Sequence, residues 1–480
     1  MKRFVTAVLL AALAAGCAHY PLNDKLARAD ITTGYRYANT TLPREDGLYV
    51  ILTFSGGGSR AAGFAYGVLR EMERTKLPDG TRLIDRIDVI SSVSGGSFIS
   101  TYFGLYGPDG LDAFKTKFLE RNIEGMLFRA ALNPVNVARL LSPNFSRIDL
   151  ASELYDRTLF EGKTFADLLA AQAPGRRPFI IINSTELDLG SRFEWTQDQF
   201  DPLCSDLSTT RLARGVAASS AFPVLLTPMV LRDYANETDC GFTPPSWVAN
   251  AREDIELNPS RHRNAVELLA YLEPRRQWLH LMDGGIADNI GLRGPLHAIT
   301  SSDTWQMDDP ARRRNGFTIQ GELNRREIKR LLVITVNAAT HGDVKLDAKQ
   351  ANPALPAILG NISFTPMANF SFDSLQMLRS TMNELELRQR QPIDCQQAVS
   401  GTCPDARIPG ANLTPVSFYP AVLGFTSIPD KKFRDELNAI GTNFALKPGQ
   451  LELLERAAKE LLAGSEEYQR FLEDVGAQQQ

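Results

Sequence analysis

Twice in its first quarter the chain runs an apolar, β-rich stretch directly into a cluster of glycine and serine and then into residues at helical spacing. The first instance is "GLYVILTFSGGGSRAAGFAYGVLREMERT", in which Leu48 to Phe54 reads as a strand and Ala61 to Arg74 as a helix. The second is "RIDVISSVSGGSFISTYFGLYG", with a strand running into a tight turn at Ser94. A strand that is apolar on both faces must be covered on both, and a helix straight after it supplies the cover, so the repeat predicts an α/β fold. Further strands are expected at "PFIIINSTEL", "WLHLMD" and "RLLVITVN". Together these predict a mainly parallel sheet with helices on both faces.

Two insertions interrupt this pattern. Residues 107–170 read as mostly helical and include the apolar, locally basic "FKTKFLERNIEGMLFRAALNPVNVARLL", whereas residues 233–276 are polar and contain proline. Each either covers the site or decorates the surface. After about residue 345 the chain becomes helical and amphipathic. The expected organisation is a signal segment over 1–16, a polar tether and lead-in over 17–45, an α/β domain over 46–345 and a helical C-terminal extension over 346–480.

A charge of −4 with 43% hydrophobic and 22% charged residues is that of an ordinary globular protein and gives no bulk attraction to nucleic acid. The N-terminus differs: Lys2 and Arg3 precede an apolar run from Phe4 to Ala15, too short to span a bilayer. The ending "LAAGC" resembles a bacterial lipoprotein lipobox. That likeness implies cleavage before Cys17, acylation of its sulfur and new amino group, and attachment to a membrane surface of the cell envelope, expected at the outer membrane.

Four further cysteines, Cys204, Cys240, Cys395 and Cys403, are an even number for a compartment that permits disulfides. The close pair in "CQQAVSGTC" suits a small loop, leaving Cys204 for Cys240, and other pairings stay open. A zinc site is the rival, and neither C-x-x-C nor a neighbouring histidine supports it. No metal and no cofactor are expected.

A serine hydroxyl becomes a nucleophile when a sharp turn exposes it beside a base, with donors ready for the developing oxyanion. Ser94 occupies such a turn, although "SVSGG" has Ser92 where the usual G-x-S-x-G elbow has its first glycine. The run "SGGGSR" places Gly56, Gly57 and Gly58 after a strand and before a helix, where backbone amides can converge on an anion. It makes either an oxyanion hole or a phosphate cradle. Gly56, Gly58 and Ala61 also satisfy G-x-G-x-x-A, but the next strand ends in serines rather than the acid a dinucleotide site wants, and no Walker lysine is present. In "LHLMDGGIADNIGL" a strand brings Asp283 to the sheet edge, and two glycines turn the chain away.

Taken in order, "SGGGSR", "SVSGG", "AASSAFP" (Ala217 to Pro223) and "DGG" make the chain resemble a bacterial patatin-like phospholipase, across about residues 46–340. The glycine directly after the serine, and "SGGG" rather than "DGGG", are nearer the cytosolic phospholipase A2 branch. The resemblance implies Ser94 as nucleophile, Asp283 as base, the glycine amides as oxyanion donors, Arg60 as a phosphate partner and a phospholipid ester as substrate.

Such a dyad uses no histidine. His280 is three residues before Asp283 and so points to the opposite strand face, and His19, His262 and His297 have no motif around them. His341, after "LLVITVN", is the rival that would complete a triad. Two other functions remain open on sequence alone: a non-catalytic lipoprotein that binds lipid or an envelope partner, and a general esterase or thioesterase.

Overall fold

The computed structural model describes residues 22–40, 46–172, 177–223, 225–237, 239–245, 247–253, 255–256, 259–300, 319–340 and 355–479. Strand β1 (Leu48–Phe54) is buried at all of its positions and leads through the glycine run into α1 (Gly58–Arg74). Strand β2 (Val89–Val93), also wholly buried, leads into α2 (Gly95–Tyr106). The first insertion contains α3 (Ile123–Leu132), α4 (Pro134–Leu140) and α5 (Arg147–Tyr155). Asn122 and Asn133 cap the first two, and Ser146 with Asp149 forms a capping box at the third. Then come β3 (Phe179–Glu186), β4 (Ser191–Glu194), α6 (Leu212–Ser219), β5 (Met229–Arg232) and β6 (Trp278–Asp283). The chain continues with β7 (Arg330–Asn337), the long helix α7 (Leu355–Ser400), β8 (Ser417–Gly424), α8 (Gln450–Ala463) and α9 (Glu466–Val475).

The eight strands form one sheet in the order β8-β7-β1-β2-β3-β6-β5, with β4 beside β3. The five from β8 to β3 are parallel, and β4, β5 and β6 are antiparallel to their neighbours. The strand carrying Asp283 therefore reaches the shared edge from the other direction. Strand β3 overshoots β2, whose last residue Val93 pairs with Asn183, and β6 returns along the overshoot so that Asp283 pairs with the next residue, Ser184. Register alone sets Asp283 level with the residue after Val93, which is Ser94.

The C-terminal region is mainly helical, and it also supplies β8, an edge strand parallel to β7. Pro420 lies within β8, a placement a sheet tolerates at its edge. Residues 22–40 are packed in rather than forming a tether. Asp24–Lys25 pairs with Ser205–Asp206, the buried Tyr35 hydroxyl accepts the Ile180 amide proton at 2.9 Å, and the buried Arg36 bridges Asp198 and Asp201.

Cys204 and Cys240 are disulfide-bonded, 5.7 Å apart at Cα. Cys395 and Cys403, in contrast to the expected small loop, are free and exposed. From Cys395 the helix climbs to Ser400, about 7.5 Å along its axis, and Cys403 hydrogen-bonds back only as far as Val399. Such a rise exceeds the Cα separation a disulfide spans.

Candidate active site

Ser94 stands between β2 and α2 with φ 50° and ψ −119°, a conformation that costs a non-glycine residue about 1–3 kcal/mol. Hydrogen bonds from the "AASSAFP" block offset this strain. The Ser94 amide donates to Ser219 Oγ at 2.9 Å, and Ser219 Oγ donates to the Asn183 carbonyl at 2.6 Å. The same block holds the other half of the site: Ala221 accepts the Asp283 amide proton, and Ser219 accepts that of Gly284, both at 3.1 Å. In the sequence the block is only one of the motifs of the family likeness, with no role of its own. Its signal was the pair of small polar residues in an otherwise apolar stretch, but their partners are not visible without the tertiary structure.

Asp283 is 4% exposed. Its Oδ1 accepts the Gly285 amide proton at 2.8 Å, and the Ser94 hydroxyl is near enough to the carboxylate to favour its charged form. Desolvation raises its pKa from 3.8 to about 6, against the lowering effect of the Gly285 amide and the Ser94 hydroxyl. Thr185 Oγ1 donates to the Asp283 carbonyl at 2.8 Å and accepts the Ala287 amide proton, fixing the turn that follows. Met367 of α7 lies 3.3 Å from where a side chain on Gly285 would begin, so the long helix covers this turn.

The glycine run approaches Ser94 closely. Gly57 (φ 135°) and Gly58 (φ 60°) adopt backbone conformations that favour glycine. A Cβ on Gly95 would fall 2.0 Å from the Gly58 carbonyl oxygen, and one on Gly58 would fall 2.3 Å from the Asn443 carbonyl oxygen. Among the described residues the Gly57 and Gly58 amides have no hydrogen-bond partner, and Gly58 begins α1, whose dipole favours an anion there. Gly56 departs from expectation. Its amide donates to the Asn289 carbonyl at 2.9 Å, so it is a strut of the loop rather than a free donor.

Arg60 also departs from its expected role. It is 4% exposed and directs Nε to the Ala338 carbonyl (2.9 Å), Nη1 to the Ile440 carbonyl (2.5 Å) and Nη2 to Thr442 Oγ1 (3.0 Å). Burial lowers its pKa to about 10, which leaves it charged at neutral pH. With these donors committed, Arg60 ties the glycine run to the end of β7 and to the segment before α8 instead of offering itself to a phosphate. Removing it would orphan two buried carbonyl acceptors and break a bond to the exposed Thr442, so Arg60→Ala is expected to lower stability by about 2–4 kcal/mol. Thermal melting checks this. The ratio of activities on phospholipid and uncharged ester should stay constant, whereas a selective loss on phospholipid would restore the phosphate role.

Three histidines are visible and none contacts Ser94 or Asp283. His280 is exposed on β6, His262 Nδ1 is 3.3 Å from the Ala251 carbonyl, and His297 Nε2 pairs with Asn264. His19, His341 and Cys17 lie outside the described residues. A cleft of about 520 Å³ between the lead-in segment and the helix Phe165–Gln172, lined in part by Thr32, Tyr35 and Leu169, includes neither Ser94 nor Asp283 in its lining.

A doubly covered α/β sheet with a strained serine elbow facing a desolvated carboxylate defines a class of fold and site. The family model of the patatin-like phospholipases matches residues 52–296, just over half of the chain, and the chain belongs to that family. No curated relative matches the sequence significantly. Among solved structures, the chain is similar to human GIVD cytosolic phospholipase A2 (TM-score 0.45, 13% identity), covering 91% of this chain and 63% of the human one. It thus spans less than two thirds of that protein. The same human enzyme in complex with methyl gamma-linolenyl fluorophosphonate gives a TM-score of 0.41 at 13% identity, over 92% of this chain and 61% of that one. VipD from Legionella pneumophila gives 0.25 at 12% identity, over 91% and 71%.

Proposed function

We propose that the protein is a serine hydrolase of lipid acyl esters, with phospholipids as its substrate class, working through a Ser94–Asp283 dyad. The observation that carries this reading is the register that sets Ser94, on its strained turn, level with a carboxylate removed from water. Asp283 takes the Oγ proton as Ser94 attacks the ester carbonyl, and the Gly57 and Gly58 amides stabilise the tetrahedral oxyanion. The proton then passes to the departing alcohol, leaving an acyl-serine. In the second half, Asp283 deprotonates a water that attacks the acyl carbon, and Ser94 leaves as its alcohol with the proton returned.

A base must be deprotonated to act, and Asp283 titrates at about 6. We expect kcat/KM to rise with pH through about 6 and level off above it, roughly tenfold per unit on the acid limb. A pH profile on an uncharged short-chain ester checks this, and a rate independent of pH across that window would remove Asp283 as the base. The test of the function itself is hydrolysis of phosphatidylglycerol vesicles and of a chromogenic ester by wild type and by His341→Ala. Release of fatty acid by both supports the dyad, loss in His341→Ala favours the triad, and no turnover by folded wild type would leave a lipid-binding protein. The proposal extends to the N-terminus: acylation at Cys17 would hold the protein at the bacterial envelope, which intact-mass measurement of membrane-extracted protein would reveal.

A further inference from the structure

Helices α3 and α4 form a hairpin with two apolar faces. The inner face has a small core of its own, Phe145 and Leu150 packed by Ala130, Ala131 and Leu140, separate from the main core. The outer face leaves Phe128, Leu132, Val135 and Leu141 between 57% and 75% exposed. Large apolar side chains concentrated on one short hairpin mark a surface with a partner.

Charge identifies the partner. Residues 121–147 carry four arginines, Arg121, Arg129, Arg139 and Arg147, against one acid, Glu124, although the whole chain is at −4. Arg139 is paired with Glu153, from the next helix, whereas Arg121 and Arg129 are exposed. A second copy seated on this face about a two-fold axis would set arginines against arginines. An anionic lipid surface accepts both features, apolar side chains into the acyl boundary and arginines among the headgroups. Among the described residues no helix is long and apolar enough to cross a membrane, so contact would lie in the interface plane.

The hairpin is also tied to the site at its N-terminal end. The Ile123 amide donates to the Phe444 carbonyl at 2.9 Å, and the adjacent Asn443 carbonyl accepts the Ser59 amide proton from the glycine run. The Phe444 ring packs on Phe98 of the elbow helix, and past the hairpin the Ile148 amide donates to Thr227 Oγ1. We infer that the α3–α4 hairpin is the surface by which the protein docks on anionic phospholipid bilayers, setting the Ser94 site at the lipid interface. The inference deepens the lipid-ester reading and rests on it for its purpose, but it is tested without catalysis.

The test compares the full chain carrying Ser94→Ala with the same chain carrying also Phe128→Ser and Leu132→Ser, so both share one N-terminus. Each is sedimented with sucrose-loaded vesicles of phosphatidylcholine alone or mixed equally with phosphatidylglycerol. The parent is expected to prefer the mixed vesicles, and the double substitution to weaken that binding by about a hundredfold. Arg129→Gln should weaken binding to the mixed vesicles alone. Unchanged melting of the double variant shows that the loss is not unfolding. Equal binding by parent and variant, or no preference for the anionic mixture, would overturn the inference. So would a dimer in solution that the variant dissolves.

Discussion

Alanine at position 94 should cut ester turnover by about 10⁴-fold or more, leaving only what binding and the oxyanion donors supply. The fold should survive, because the elbow is held by the Ser94 amide rather than its hydroxyl. Asp283→Asn should produce a comparable loss of turnover together with a gain in stability. Asp283 titrates at about 6 in the fold against an ordinary 3.8, so the native state is penalised above that window and the penalty fades as pH falls through it. The difference corresponds to about 3 kcal/mol, and the asparagine can still accept the Gly285 amide proton. Chemical denaturation should therefore show the variant more stable than wild type above pH 6, with the advantage gone near pH 4. A variant that is dead but no more stable at neutral pH would mean that Asp283 is less desolvated than its burial implies.

The second large effect is expected at Gly95. A methyl group there would fall 2.0 Å from the Gly58 carbonyl oxygen, an overlap with backbone that no side-chain rotation relieves. The glycine run cannot retreat freely, since Asn443 backs Gly58 and accepts the Ser59 amide proton. We expect Gly95→Ala to cost at least about 2–3 kcal/mol and to reduce turnover by about 10²-fold or more even where the protein remains folded. Melting and kcat measured on the same preparation check both effects. Wild-type activity in Gly95→Ala would show that the glycine run need not lie against the elbow.

Local pattern made much of this legible. The strand at Leu48–Phe54 and the turns at Ser94 and Asp283 announce themselves because an apolar run ending in small residues has few other ways to fold. What stayed hidden depends on distant partners. Arg60 follows three glycines and reads as an anion ligand, but its acceptors come from residues 338, 440 and 442. Gly56 looks like its two neighbours until Asn289 takes its amide proton. The roles of Ser219 and Asn183 exist only once α6 lies against the elbow. Strand β8 was obscured by Pro420, whose missing amide proton argues against any strand except one at an edge. Cys395 and Cys403 are close in sequence, and the helix between them keeps them from bonding.

The central claim is that Ser94 is a nucleophile activated by Asp283. The most direct measurement is labelling of the folded full chain with a fluorophosphonate, followed by mass mapping of the modified peptide and comparison with Asp283→Asn. The account predicts a single adduct on Ser94, formed faster as pH rises through about 6 and slowed by orders of magnitude in the variant. An unlabelled Ser94 in folded protein, or equal labelling rates with and without the Asp283 carboxylate, would contradict it.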